Sequence, residues 1–426
     1  MGASGWPRRQ DGHGPRTAAL VTRAVALLMD SGQPAGDSER AVARLNELLG
    51  TRYRVLTGWS QVMLLDDDGV VLSVRPIHPV STHMGRATAV TRALAESTGL
   101  DDDRLESLLD EAEARPVSPT WLFVLAAGGG AALLSIISGA DHPHSIALIF
   151  AAAALGGLAR RLLAGRATPV AQVFVAALIG GLAGSLSVHL GWTSSARLVA
   201  VCPAMVLVPG PQVLSGAIAI AERRHDMGLA RLSDAGLTIL AISAGLLAGL
   251  MTGGADLPVS ATTRPVPAWL DIACGAAVAV CYPVYFSMPA AAAGWALLAG
   301  GLGHAAHWAA LSLWGWNAPA ASLAACAVVS TLLTPVCRAR RIPFAGAGFA
   351  AVVALVPGVY LFRSAAGALD LLSAGGAGQD TLLSTATDLS TAVLIILGMA
   401  VGLVVPHRLW RRRGPGAVGP GTARRG

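Results

Sequence analysis

The chain has 426 residues, 54% of them hydrophobic and only 13% charged, with 50 glycines besides and a mean hydropathy of +0.58. Soluble globular chains carry about a quarter charged residues, so an ordinary soluble enzyme is excluded. All 31 basic side chains are Arg, and against 25 acids they leave a net charge of +6, which suits either nucleic acid or an anionic membrane surface. Their placement separates the two. Residues 1–118 hold 13 Arg and 16 acids, whereas the 308 residues from 119 onward hold 18 Arg and 9 acids between apolar runs long enough to span a bilayer. The expected fold class is therefore an all-α polytopic membrane protein preceded by a small soluble α+β domain, with nucleic acid dropped as a partner.

Met1–Arg16, rich in Gly, Pro and Arg, is expected to be a disordered tail. In the domain expected over 17–118, Leu20, Val21, Ala24, Leu27 and Leu28 recur at helical spacing over Thr17–Met29, ended by Gly32. A second helix fits Ser38–Leu49, with Asp37 as cap and Gly50 as stop. Gln61–Leu65 and Val70–Val74 read as a hairpin turning through Asp67, Asp68 and Gly69. Two more helices fit Met84–Ser97 and Asp102–Ala114, the latter capped by Asp101. Asp66-Asp67-Asp68-Gly69 superficially suggests a calcium loop, but Leu64 stands at the first ligand position and Arg75 at the last, so it is read as a turn. No apolar segment before residue 118 resembles a cleavable signal, which places this domain in the cytosol.

Ten spans are expected from there on, at 119–139, 145–163, 168–190, 196–220, 232–252, 267–286, 289–313, 318–337, 342–363 and 383–405. Arg160, Arg161 and Arg166 follow the second span, Arg223, Arg224 and Arg231 the fourth, and Arg338, Arg340 and Arg341 the eighth. Arg408 and Arg411 to Arg413 follow the tenth, in a basic cytosolic tail over 409–426. The other side offers only Arg197 and Arg264, with Arg363 unassigned, so both termini are expected to be cytoplasmic in a multi-pass plasma-membrane protein. Trp121, Trp192, Trp269, Trp314, Trp316 and Trp410 fall near span ends, where interfacial anchors belong. The five Cys lie in the apolar part without CxxC pairing or metal-ligand spacing and read as small core residues.

Val206-Leu207-Val208-Pro209-Gly210 in the fourth span recurs as Ala354-Leu355-Val356-Pro357-Gly358 in the ninth. Gly156-Gly157-Leu158 recurs as Gly300-Gly301-Leu302, and Gly245–Leu250 as Gly398–Leu403, in the same order. The membrane part is thus expected to be two five-helix repeats, 119–254 and 255–408, with the second inverted because five crossings are an odd number. Secondary transporters commonly have this architecture, with a substrate site near the midplane between repeats.

Each Pro removes a backbone donor and each adjacent Gly frees the bend, and such breaks survive in lipid where they face protein or a water-filled cavity. Pro209, Gly210, Pro357 and Gly358 are therefore candidates for the substrate path, against kinks that serve packing alone. Gln212, Ser215 and Ser364 lie just beyond and can bond a polar solute or merely satisfy backbone. Arg363 can grip a carboxylate two-fold or snorkel to water. Asp234 and Asp388, near the starts of the fifth and tenth spans, are candidates for proton coupling, because intramembrane carboxylates cost about 2.5–3.5 kcal/mol; the alternative is a carboxylate favoured by the helix dipole. His304 and His307 share one helix face and titrate in a range that suits proton relay, or else are packing residues. Two His make no metal site, and no cofactor is expected. A Walker loop, a Rossmann glycine pattern and a GxSxG elbow are all absent from the sequence, so neither ATP-driven transport nor enzyme activity is expected.

At these residues the chain resembles the threonine/serine exporters. The likeness runs through Met29-Asp30-Ser31-Gly32, Glu39–Leu45 and Gly50, and through Arg115-Pro116 and Ser118-Pro119-Thr120-Trp121. It continues in Val208-Pro209-Gly210, in Gly228-Leu229-Ala230-Arg231-Leu232 and in Val356-Pro357-Gly358. Two departures stand out: Ala221-Glu222-Arg223-Arg224-His225 replaces an Asp-Leu-like segment, and Pro211 adds a helix breaker. The resemblance implies a ten-span exporter of L-threonine and L-serine, driven by the proton motive force, with the lipid bilayer, protons and small amino acids as partners and self-association open. Split relatives associated with dicarboxylate export supply the alternative substrate. A rival class is a membrane sensor or hydrolase acting through its N-terminal domain, where Ser60, His78, Ser81 and His83 stand in no known catalytic arrangement.

Overall fold

The computed structural model describes residues 14–78, 83–192, 196–254, 266–342, 344–372 and 378–412. The expected tail up to residue 13, Ser81, Arg264 and the basic tail from Arg413 onward lie outside them. The chain divides into two compact units, one reaching to Val117 and the other taking in the helices from Ser118 onward.

The first unit runs α1 (Pro15–Asp30), α2 (Ala35–Leu49), β1 (Arg54–Thr57), β2 (Gln61–Leu65), β3 (Val71–Pro76), α3 (Met84–Glu96) and α4 (Asp102–Glu113). Its centre is α1, whose Val21, Ala24, Val25, Leu28 and Met29 are all buried against α2, the sheet, α3 and α4. The strands form an antiparallel sheet in the order β1-β2-β3, and alternation along β2 buries Val62 and Leu64. The expected hairpin is β2 and β3; β1 is an addition, a four-residue edge strand with no fully buried position. Helix α2 starts after Pro34, earlier than expected, so Asp37 sits in its first turn, where the helix dipole favours it, and is not the cap. Asp101 does cap α4, accepting from the Arg104 amide at 2.8 Å, and Gly50 closes α2 at φ 70°. Arg23 ties α1 to α4 through Glu113 at 2.6 Å and Asp110 at 2.7 Å; the hydrogen bonds to Glu113 above all hold its guanidinium firmly protonated. His83 caps α3 by accepting from the Arg86 amide at 3.3 Å, and burial followed by the charge of Arg86 pushes its pKa down, so the ring is folded in neutral.

The second unit consists of α5 (Thr120–Ile137), α6 (Pro143–Leu163), α7 (Pro169–His189), α8 (Ala196–Met205), α9 (Gly210–Ala221), α10 (His225–Thr252), α11 (Ala268–Tyr285), α12 (Ala290–Ser312), α13 (Ala318–Arg340), α14 (Phe344–Val352), α15 (Gly358–Leu372) and α16 (Gln379–Arg412). Among the described residues seven helices are long and apolar enough to cross a membrane, or nine if the bent pairs α8–α9 and α14–α15 each count as one span. Helix α12, at the position of the seventh expected span, is not among them. Large apolar side chains such as Leu237, Leu240 and Leu383 are 60%, 62% and 65% exposed, an arrangement suited to lipid and unfavourable in water. The membrane character is therefore written both in composition and in which face of each helix is left uncovered.

Glycine sets the closest helix contacts. A Cβ on Gly245 would strike the Phe174 carbonyl, and one on Gly249 the Leu178 carbonyl, so α10 lies backbone to backbone on α7. Gly398 and Gly402 hold α16 against α13 in the same way, at the carbonyls of Pro319 and Leu323. These are corresponding positions of the sequence repeat. Helix α9 packs on its neighbour α10 and reaches α16, while α15 packs on its neighbour α16 and reaches α10. The two halves thus exchange equivalent contacts.

Candidate functional site

Proline makes both breaks. It cannot donate to the preceding turn, and in each case the following glycine amide turns back to the residue before the proline: Gly210 N–H donates to the Val208 carbonyl at 2.8 Å, and Gly358 N–H to the Val356 carbonyl at 2.7 Å. Three-residue turns of this kind reverse the chain sharply. Each proline carbonyl then accepts the first bond of the next helix, from Val213 at 3.0 Å and Leu361 at 3.1 Å. Both helix pairs are bent by 60°.

The two turns face each other. A Cβ on Gly210 would lie 3.4 Å from Val353 and Val356, and one on Gly358 would lie 3.3 Å from Met205 and 3.7 Å from Val208. Met205 and Val208 correspond to Val353 and Val356 in the repeat, so each turn meets the residues equivalent to its own. Between them is a cavity of about 10 Å³, closed by Leu134 of α5 and Tyr282 of α11. That is room for roughly one water centre, so the crossing as folded is shut to an amino acid.

Of the other residues singled out in the sequence, Ser215 is buried on α9 and Gln212 is half-buried beside it. Ser364 donates to the carbonyls of Tyr360 and Leu361 on its own helix, at 2.9 and 3.0 Å. Arg363 neither reaches the cavity lining nor stands alone: its Nε lies 3.0 Å from Asp388 on α16, out of line for a hydrogen bond. Asp234 and Asp388 are each the tenth residue of their helices, α10 and α16, beyond the first turn where the helix dipole acts. His304 is buried on α12 with Nδ1 3.3 Å from Asp271 of α11, and its ring lies against Gly275, where any Cβ would overlap it. His307 is half-buried one turn on and within electrostatic reach of both. No group of three metal-ligating side chains occurs among the described residues.

Sequence reasoning passed over Asp271. It stands in the first turn of α11, 33 positions before His304, and no local spacing announces the pairing. Tyr282, Met205 and Val353 were missed for the same reason, since apolar positions on a span look alike until packing selects among them.

A family model described as a putative threonine/serine exporter matches residues 19–253. The chain belongs to the threonine/serine exporter family. A second model of that family, described as threonine/serine exporter, matches residues 271–408, so the exporter's two parts are fused in one chain. Each match contains one of the two Pro-Gly breaks. No curated protein and no solved structure matches the chain.

Proposed function

We propose that this protein is a secondary exporter of L-threonine and L-serine, driven by the proton motive force and working by alternating access at the crossing of its two broken helices. Counting each broken pair once, α5 to α16 make ten spans, five in each repeat, and the second repeat is inverted. The Arg-rich helix ends and both termini face the cytosol. The α9 and α15 N-termini, opened by the breaks, receive the substrate carboxylate, and backbone carbonyls around each break receive its ammonium. Asp271 and His304 carry the coupled proton, with His307 beside them and Cys274 one turn along α11. The observation that carries this reading is the reciprocal contact of the two turns, Gly210 on Val353 and Val356 and Gly358 on Met205 and Val208. Two breaks made only for packing have no reason to meet at a shared cavity.

The test is efflux of labelled threonine from reconstituted vesicles. Gly358→Leu puts a branched side chain into Met205 and Val208 and is expected to slow efflux roughly tenfold or more, a barrier increase of about 1.4 kcal/mol. A properly inserted Gly358→Leu protein that exports at the wild-type rate would sink the proposal that this crossing is the route.

A further inference from the structure

Arg160 and Arg161 end α6 side by side, and the fold uses them differently. The Arg161 guanidinium lies 4.2 Å from the centre of the Phe123 ring and donates to the Ser118 carbonyl at 3.0 Å, while the Ser118 hydroxyl donates to the Val284 carbonyl at 2.7 Å. Arg161 therefore fastens the start of α5 to the ends of α6 and α11. Arg160 has no such employment. Its guanidinium is 5.9 Å from the centre of the Phe123 ring, with Tyr285 and Arg161 within electrostatic reach. The Arg160 Nε and the Tyr285 hydroxyl are both sealed from solvent without a hydrogen-bond partner among the described residues, as is the Arg161 Nε, but Arg161 has a second nitrogen bonded to Ser118. Buried donors of this kind are costly unless something accepts from them.

The surroundings indicate what the acceptor is. Tyr285 packs edge-on against Phe123 at 4.8 Å and lies 5.5 Å from Tyr282, which closes the cavity between the two breaks. Arg160 thus stands at one end of a file of side chains that leads to the crossing. We infer that Arg160 and Tyr285 form a carboxylate-recognition subsite at the entrance to the route, where the α-carboxylate of the amino acid is bound before it reaches the crossing. A planar guanidinium takes a carboxylate through two parallel hydrogen bonds, and the phenol supplies a third donor. The inference rests on the exporter reading and adds to it a place where substrate is first held.

The test uses the full-length protein in vesicles. Arg160→Gln is expected to raise the KM for threonine at least about tenfold with little change in kcat, because it removes binding that ground state and transition state share. Tyr285→Phe should raise it less, and Arg160→Lys should recover only part of the loss. In the wild-type protein, modification of Arg160 by an arginine-selective dicarbonyl, located by mass spectrometry, should be slowed by threonine and not by threoninamide, which lacks the carboxylate. This arm needs no variant to fold. Unchanged KM in Arg160→Gln, equal protection by threoninamide, or protection by anionic lipid in place of threonine overturns the subsite. Wild-type vesicles that move neither labelled threonine nor labelled serine overturn the exporter reading itself, a result distinct from those three.

Discussion

Asp271 and Asp388 each lie beside a basic side chain, and the two pairs make different demands. Arg363 and Asp388 are 20% and 9% exposed in their side chains, so losing the acid strands a half-buried guanidinium, at a cost of about 3–5 kcal/mol where such pairs are fully buried and less here. Asp271 faces a histidine, and this pair is the proposed carrier of the coupled proton. Asp271→Asn should therefore abolish threonine accumulation driven by a pH gradient while leaving exchange at equal pH on both sides intact. Uptake that follows the gradient as steeply in the variant as in wild type would contradict that assignment. At this scale the sequence was only partly legible. His304 was visible as a titratable group on an apolar helix, and Arg363 as a cation misplaced for the orientation rule, but their acids are 33 and 25 positions away on neighbouring helices. Only the antiparallel packing of α11 with α12 and of α15 with α16 brings them together.

Helices meet here through absent side chains. A Cβ on Gly249 of α10 would strike the Leu178 carbonyl and lie 2.8 Å from the Leu182 amide nitrogen, and one on Gly402 of α16 would strike the Leu323 carbonyl and lie 3.1 Å from the Ala327 amide nitrogen. Backbone cannot give way as a side chain does, so Gly249→Leu is expected to destabilise the protein by about 1–3 kcal/mol or more and to lower the fraction recovered as a single folded species. Gly294→Leu, on α12 with nothing within 4 Å of its Cβ, should be tolerated; equal losses from both would contradict the account. The elements themselves were largely legible, because apolar runs, Pro-Gly breaks and turn glycines act within a few residues. Strand β1 was not, since Arg54–Thr57 has no buried alternation and is held as a strand by pairing with β2. The start of α2 differs for a similar reason: Pro34 starts the helix three residues before Asp37 can cap it.

Across the whole molecule, the halves are joined by equivalence. The same three-residue turn, the same glycine contacts and the same exchange of α9 and α15 between neighbours recur in both, as expected of a duplicated unit. The link between Arg408 of α16 and Glu222 at the end of α9, 3.0 Å apart, joins the halves at one end of the molecule. On the proposed reading, with the crossing closed to about 10 Å³, transport would need the turns to part, first on one side and then on the other. On the same proposed reading, the net charge of +6, which composition alone leaves without a partner, reflects orientation for most Arg residues and substrate for Arg160. The most direct measurement is counterflow in proteoliposomes of purified protein, with labelled threonine, serine and a dicarboxylate such as succinate, with and without a pH gradient. Threonine and serine are expected to exchange for one another, succinate not to compete, and a pH gradient to drive accumulation. Exchange of succinate alone, or no exchange of either amino acid, would contradict the proposal.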